Sequence, residues 1–354
     1  MKTSLYAYFG LLDPHTIDSP GHSLYQLGLI DSIRETFDEE TFDFYSYYPD
    51  KVLEDYSMST NQMYPDGELG KLFQLYYNEM IANYCLKIDG VIFSIKNRSY
   101  NKLYLKARFR NLSTLAKKWK DARDFEKIIE TAIDSGYTKN DIIILDTDLS
   151  LPESFYLKYS ESVTVKIPSI DFPGISDRFL NSCVEIHGSN YGKNKDIVFY
   201  GNIDTSNYKN GNSKSEELSN FLKEISEFYE KTNDTLHIIS KNGNALLPYK
   251  HSFISRNERL TIWKTLESSS LMINITKEKY NTLKFIPARL YEAMIFGMTP
   301  ISYKFDFLDP AFSFESQEDL TEILKYFNDC DQTDLKNAYL RFIKSYTEYR
   351  MATY

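Results

Sequence analysis

Arg289 and Glu292 stand three residues apart in Pro287-Ala-Arg-Leu-Tyr-Glu292, just upstream of Gly297. Pro287 suits the first turn of a helix, whose free N–H groups favour an anion. Arg289 would add a fork-shaped guanidinium to that helix end, matched to a diphosphate. Glu292 lies one turn on, where a carboxylate can accept a pair of hydroxyls. The same spacing also fits an ordinary ion pair on a helix surface. Asp146 and Asp148 form a second acidic pair in Asp141-Ile-Ile-Ile-Leu-Asp-Thr-Asp148-Leu-Ser-Leu-Pro152. They sit where an apolar strand would end, so one acid can serve as a general base, both can hold a hard metal ion, or both can cap the loop.

The elements that must position these residues alternate between strand and helix patterns. Short apolar runs predict strands at 4–10, 42–48, 90–95 and 141–145, and helical spacing predicts helices at 23–36 and 68–85 and one or two within 101–135. Pro168, Pro173, Gly174, Gly188 and Gly192 interrupt the pattern. It then restarts, with strands at 196–200, 235–240, 270–275 and 299–303 and helices at 213–231, 257–266, 287–296, 316–327 and 332–346. This is the pattern of an α/β protein with two Rossmann-like, doubly wound domains facing across a cleft. The expected division is an N-terminal domain at 1–170 that binds the acceptor, a linker at 171–195 and a nucleotide-binding domain at 196–330. A C-terminal helical segment at 331–354 is expected to pack back toward the first domain.

Composition narrows the classes. The chain has 354 residues, 42% of them hydrophobic, which suits two folded domains and excludes a disordered chain. The 29 Tyr and 23 Phe are read mainly as core filling. Cys85, Cys183 and Cys330 are far apart and form no CxxC, against a zinc site or a disulfide framework. No apolar run approaches membrane-spanning length. The expectation is a monomeric protein of the cytoplasm, or of an infected host cell's cytoplasm if phage-encoded.

The segment Lys277–Pro300, a Lys/Asn/Tyr-rich loop followed by Ile286, Arg289 and Glu292, resembles the donor-binding helix of GT-B glycosyltransferases, in particular the T-even phage DNA β-glucosyltransferases. The resemblance implies that Arg289 contacts the pyrophosphate of a UDP-sugar and Glu292 its ribose. Lys284 stands eight residues before Glu292, where retaining GT-B enzymes carry another Glu, which favours the inverting branch. Ile197-Val-Phe-Tyr-Gly201 resembles the strand and Tyr-Gly turn that open the family's second domain, with Lys209 and Lys214 in place of two phosphate-binding arginines. The run Thr147-Asp-Leu-Ser-Leu-Pro152 resembles the segment carrying the family's general base, which corresponds to Asp148. Ser150 replaces an Arg of the family. Pro20-Gly-His22-Ser23 matches a loop at the cleft, so His22 is expected near donor phosphate or acceptor, or Ser23 simply caps a helix. The alternative for Asp146 and Asp148 is the DxD motif of GT-A enzymes, which would place Mg or Mn on the donor diphosphate.

The net charge of −9 is uneven, because residues 96–127 hold 11 Lys+Arg against 3 Asp+Glu. Leu105, Phe109, Leu112, Ala116 and Trp119 are spaced as one apolar stripe of a helix, with Lys102, Lys106, Arg110, Lys117 and Lys120 on its flank. Such a face fits contact with double-stranded DNA, and equally a solvated helix. The family resemblance implies an inverting transfer to the hydroxymethyl group of a modified pyrimidine, 5-hydroxymethylcytosine, in phage DNA. Transfer to a glycan, lipid carrier or protein, and a DNA-binding module without turnover, are the alternatives.

Overall fold

A computed structural model describes residues 3–9, 29–36, 41–46, 64–83, 88–107, 120–146, 151–166, 175–189, 191–201, 214–240, 251–255, 258–275, 278–282, 284, 286–306 and 308–353. They form two compact units, the first ending at Asp177 and the second beginning at Arg178.

The first unit contains β1 (Thr3–Phe9), β2 (Thr41–Ser46), β3 (Tyr100–Ala107), β4 (Ile142–Leu145) and β5 (Thr164–Lys166). They pair in parallel in the order β2-β1-β3-β4-β5. The chain order reverses beside β1 and β3, which makes their carboxyl ends the switch point of a doubly wound sheet. The helices are α1 (Leu29–Thr36), α2 (Glu68–Asn83), α3 (Ile88–Lys96), α4 (Lys120–Asp134) and α5 (Glu153–Tyr159). Leu5, Leu103, Leu105, Ile142 and Ile144 share a core with Val91 and Ile95 of α3 and Phe125 and Ile129 of α4.

Two expectations fail here. Residues 90–95, expected as a strand, lie in helix α3. Val91, Ile92 and Ile95 are buried at i, i+1 and i+4, a helical stripe that a six-residue apolar run does not distinguish from a strand. Residues 101–107, expected to lie in a helical stretch, belong to β3. Leu103 and Leu105 point into the core described above, so the intervening Tyr104 and Lys106 occupy the other face.

The second unit contains β6 (Asn194–Tyr200), β7 (Leu236–Ser240), β8 (His251–Ser255), β9 (Ser269–Asn274), β10 (Thr299–Tyr303) and β11 (Ser313–Phe314). Their order is β11-β10-β9-β6-β7-β8, all parallel. This is the Rossmann order, with its switch point between β6 and β9. The helices are α6 (Asp177–Ser189), α7 (Lys214–Tyr229), α8 (Arg259–Ser268), α9 (Glu278–Thr282), α10 (Ala288–Ile295), α11 (Gln317–Asp329) and α12 (Gln332–Thr353). Helix α6 occupies much of the stretch expected to be an irregular linker.

One sheet face of this unit packs Ile197, Phe199, Leu271, Ile273 and Ile301 against Leu222 and Ile225 of α7 and Leu320 and Leu324 of α11. Ser316 and Asp319 close a capping box at the start of α11. Helix α12 lies against β10 and α10. Cys183 and Cys330 are buried free thiols. No helix among the described residues is long and apolar enough to cross a membrane.

Candidate functional site

Arg289 enters the structure through the first turn of α10. Pro287 is extended before it (φ −73°, ψ 156°), and the Leu290 N–H bonds back to the Pro287 carbonyl at 2.9 Å. The side chain reaches the carboxyl ends of β6 and β9. Its Nη1 donates to the Ile275 carbonyl, just past β9, at 2.9 Å. Its Cζ lies 5.2 Å from the centroid of the Phe199 ring on β6. Gly201, the residue after β6, leaves the space the guanidinium fills, since a Cβ there would sit 2.6 Å from Arg289 Nη2. The cation therefore stands at the switch point of the second sheet, held by a carbonyl, a ring and the lack of a side chain. Open α/β sheets bind ligands at that edge, and a half-buried guanidinium beside a helix N-terminus is suited to a diphosphate.

Glu292 is 1% exposed. Like its neighbours from Leu290 to Phe296 it is buried, so an ion pair on an exposed helix surface does not describe its setting. A carboxylate shielded to that degree needs polar partners or a ligand's hydroxyls to offset its desolvation. At the other end of α10, Gly297 takes a left-handed conformation (φ 68°) and the Met298 N–H reaches the Ala293 carbonyl at 2.8 Å. That bond closes the helix as a Schellman turn.

Asp146, at the end of β4, is fully buried. Its Oδ2 accepts the Leu151 N–H at 3.2 Å and the Tyr156 hydroxyl at 2.7 Å. Burial, followed by the bond to Asp146, pushes the Tyr156 hydroxyl well above its ordinary pKa. Asp146 thus ties the end of β4 to Leu151 and to Tyr156 of α5. A carboxylate turned inward onto two donors is a poor fit to a divalent-metal ligand, and no metal-binding group of three or more His, Cys, Asp or Glu occurs among the described residues. Asp148, two residues on in the chain, lies outside the described residues, as do His22, Lys209, Arg110 and Lys117.

Of the basic residues expected to face DNA, Lys102 and Lys106 are on β3. Lys106 is fully buried beside Tyr8 and Leu145 in the strand register. It is not a surface phosphate contact: the helical wheel that put it on a flank assumed the wrong period. Lys102 is half-buried, while Lys120 and Lys214 begin α4 and α7. The structure thus joins Gly201 to Arg289 and sets Glu292 one turn away. Sequence reasoning missed Phe199 and the Ile275 carbonyl. Phe199 was legible as the ring two residues before Gly201, on the same strand face. A backbone carbonyl leaves no such trace.

A comparison with protein-family models finds no match, and a comparison with curated protein sequences finds none either. Solved structures do match. One is T4 phage BGT in complex with its UDP-glucose substrate, 13% identical, with 99% of this chain and 98% of that chain covered and a TM-score of 0.50. Another is an alpha-glucosyltransferase in complex with UDP-glucose and DNA containing an abasic site, 11% identical, with 97% and 94% covered and a TM-score of 0.52. At these identities the common property is the architecture, and the two parallel α/β units of this chain have the fold of the GT-B glycosyltransferases.

Proposed function

We propose that the protein is a glycosyltransferase that takes a sugar from a UDP-sugar, with Arg289 holding the donor diphosphate and Glu292 the ribose. The carrying observation is the Arg289 guanidinium at the β6–β9 switch point, in a fold shared with structures that contain UDP-glucose. Transfer needs positive charge where the diphosphate leaves and a base where the attacking hydroxyl loses its proton. Arg289 and the N–H groups at the start of α10 fill the first role, supported by Lys214 at the start of α7 and by Lys209 and His22. Asp148 fills the second: it takes the hydroxyl proton as the acceptor oxygen attacks the sugar carbon and UDP departs, inverting that carbon. Asp146, two residues before it, anchors the end of β4 to Leu151 and Tyr156.

The acceptor in this reading is the hydroxymethyl group of a modified pyrimidine in double-stranded DNA. Its support is the alpha-glucosyltransferase of the same fold solved with DNA, together with the basic excess of residues 96–127. Lys102, Arg110, Lys117 and Lys120 are the candidate phosphate contacts, and a base inside a duplex would be flipped out to react. The protein would work as a monomer, with residues 1–170 serving the acceptor and 196–330 the nucleotide.

The test is nucleoside mass spectrometry after incubating the protein with a panel of UDP-sugars and either 5-hydroxymethylcytosine DNA or unmodified DNA. A hexose or pentose mass on the modified DNA alone is the expected result. Asp148→Asn should abolish the product while UDP affinity stays within a few-fold, and Arg289→Ala should mainly weaken UDP. Transfer only to a glycan or protein would refute the DNA acceptor. Near-normal turnover by Asp148→Asn would refute the base.

A further inference from the structure

Helix α10 has eight residues, too few to hold its own position, so its placement depends on what grips it. Helix α12 grips it at three levels. At the carboxyl end, the buried Tyr339 hydroxyl donates to the Met294 carbonyl at 2.8 Å. Midway, the rings of Tyr346 and Tyr291 meet edge to face, 6.1 Å apart and at 88°. Ahead of the amino end, the Tyr349 hydroxyl donates to the Lys284 carbonyl at 2.8 Å. Lys284 is exposed and sits in the left-handed region at φ 50°, a conformation that a lysine keeps only when its surroundings hold it there. Tyr339, Tyr346 and Tyr349 are seven and three residues apart, which places them on one face of α12.

The carboxyl end of α10 is also held by α6 and the residues after it, where the His187 and Tyr191 rings lie 6.0 and 6.3 Å from the Tyr339 ring. His187 Nε2 donates to the Ile295 carbonyl at 2.8 Å, and the Tyr191 hydroxyl to the Gly297 carbonyl at 3.0 Å. Arg289 is five residues from Lys284 and five from Met294, so both Tyr hydroxyls act on short lengths of backbone leading to it. A small shift of that backbone moves the guanidinium off the Ile275 carbonyl.

We propose that α12 is a splint for the donor helix, and that Tyr349 and Tyr339 are positioning residues for nucleotide binding. The inference rests on the assignment of α10 to a nucleoside diphosphate.

The experiment compares the full chain with Tyr349→Phe and Tyr339→Phe, each of which removes one hydroxyl and keeps the ring. UDP affinity is measured by calorimetry, and apo stability by thermal melting. Each variant is expected to bind UDP about three- to tenfold more weakly, the worth of one net hydrogen bond, with little change in apo melting for the half-exposed Tyr349. In turnover of UDP-glucose, by transfer or slow hydrolysis, donor KM should rise in step and kcat stay within twofold. A purely structural role would lower melting and kcat and leave KM alone, and that result overturns the splint. UDP affinity within twofold of wild type in both variants also overturns it. Failure of the wild-type chain to bind UDP would instead remove the functional reading, and the splint with it.

Discussion

Gly201→Ala tests the donor site with a single methyl group. Its Cβ would lie 2.6 Å from Arg289 Nη2, 3.1 Å from Cζ and 2.9 Å from the Phe199 ring, whereas ordinary contact begins at 3.4 Å. Something must retreat by about 0.8 Å. The Arg289 head is the far end of a flexible side chain, and it gives more readily than Phe199, which is packed in the core. The Phe199 ring, at 2.9 Å, must also give by about 0.5 Å. The fold should survive but lose about 1–3 kcal/mol through overpacking and a weaker cation–ring contact and Ile275 bond. Ligand binding should suffer more, because the guanidinium then misses the geometry of a charge-assisted bond worth about 1.5–3 kcal/mol, or about ten- to a hundredfold in UDP affinity. Calorimetry with UDP on Gly201→Ala, Arg289→Ala and the double variant reads this directly. The loss should be present on the wild-type background and absent once Arg289 is gone. An equal loss on both backgrounds, or none on either, would refute the placement of the diphosphate at Arg289.

Two further outcomes follow from buried groups. Lys106→Met should leave DNA affinity and its salt dependence unchanged and alter only thermal stability, because the ammonium has no access to a duplex; a reduced salt slope in a DNA-binding titration would contradict that. His187 is held neutral by burial, helped by the nearby Lys193 charge, with its pKa lowered to about 4. The unfolded chain takes up that proton near pH 6.5 and the folded one does not, so stability should fall as pH drops from about 6.5 toward 4. One proton sets the slope at up to about 1.4 kcal/mol per pH unit, and melting of His187→Gln between pH 7 and 5 should be correspondingly flatter.

The architecture was readable because strongly apolar strands and punctuating Gly and Pro residues mark a βα alternation. The donor helix was readable because Pro287 and Gly297 mark its ends. The misreadings have physical causes. The stretch 90–95 is too short for its period to be read, and Lys102–Lys106 lies on a strand whose second face is also covered, so a lysine could hide where polarity suggested solvent. Asp146 shows the limit at the site itself. Spacing alone allowed base, metal ligand or cap, and only its contacts with Leu151 and Tyr156 select the anchoring role. The tyrosine grip of α12 was out of reach, since it joins residues 284 and 349 and residues 294 and 339 through backbone carbonyls.

The way Arg289 is seated bears on how such a site can persist while its sequence drifts. One partner is a peptide carbonyl, which any residue at position 275 supplies, and another is an empty volume, which only the smallest residue at 201 provides. The recognition device is therefore written in few letters: an arginine, a glycine and an aromatic ring beneath them. Other residues around Arg289 can be respelled without moving the charge. A search that compares letters has little to find in such a site, whereas one that compares backbones has almost all of it.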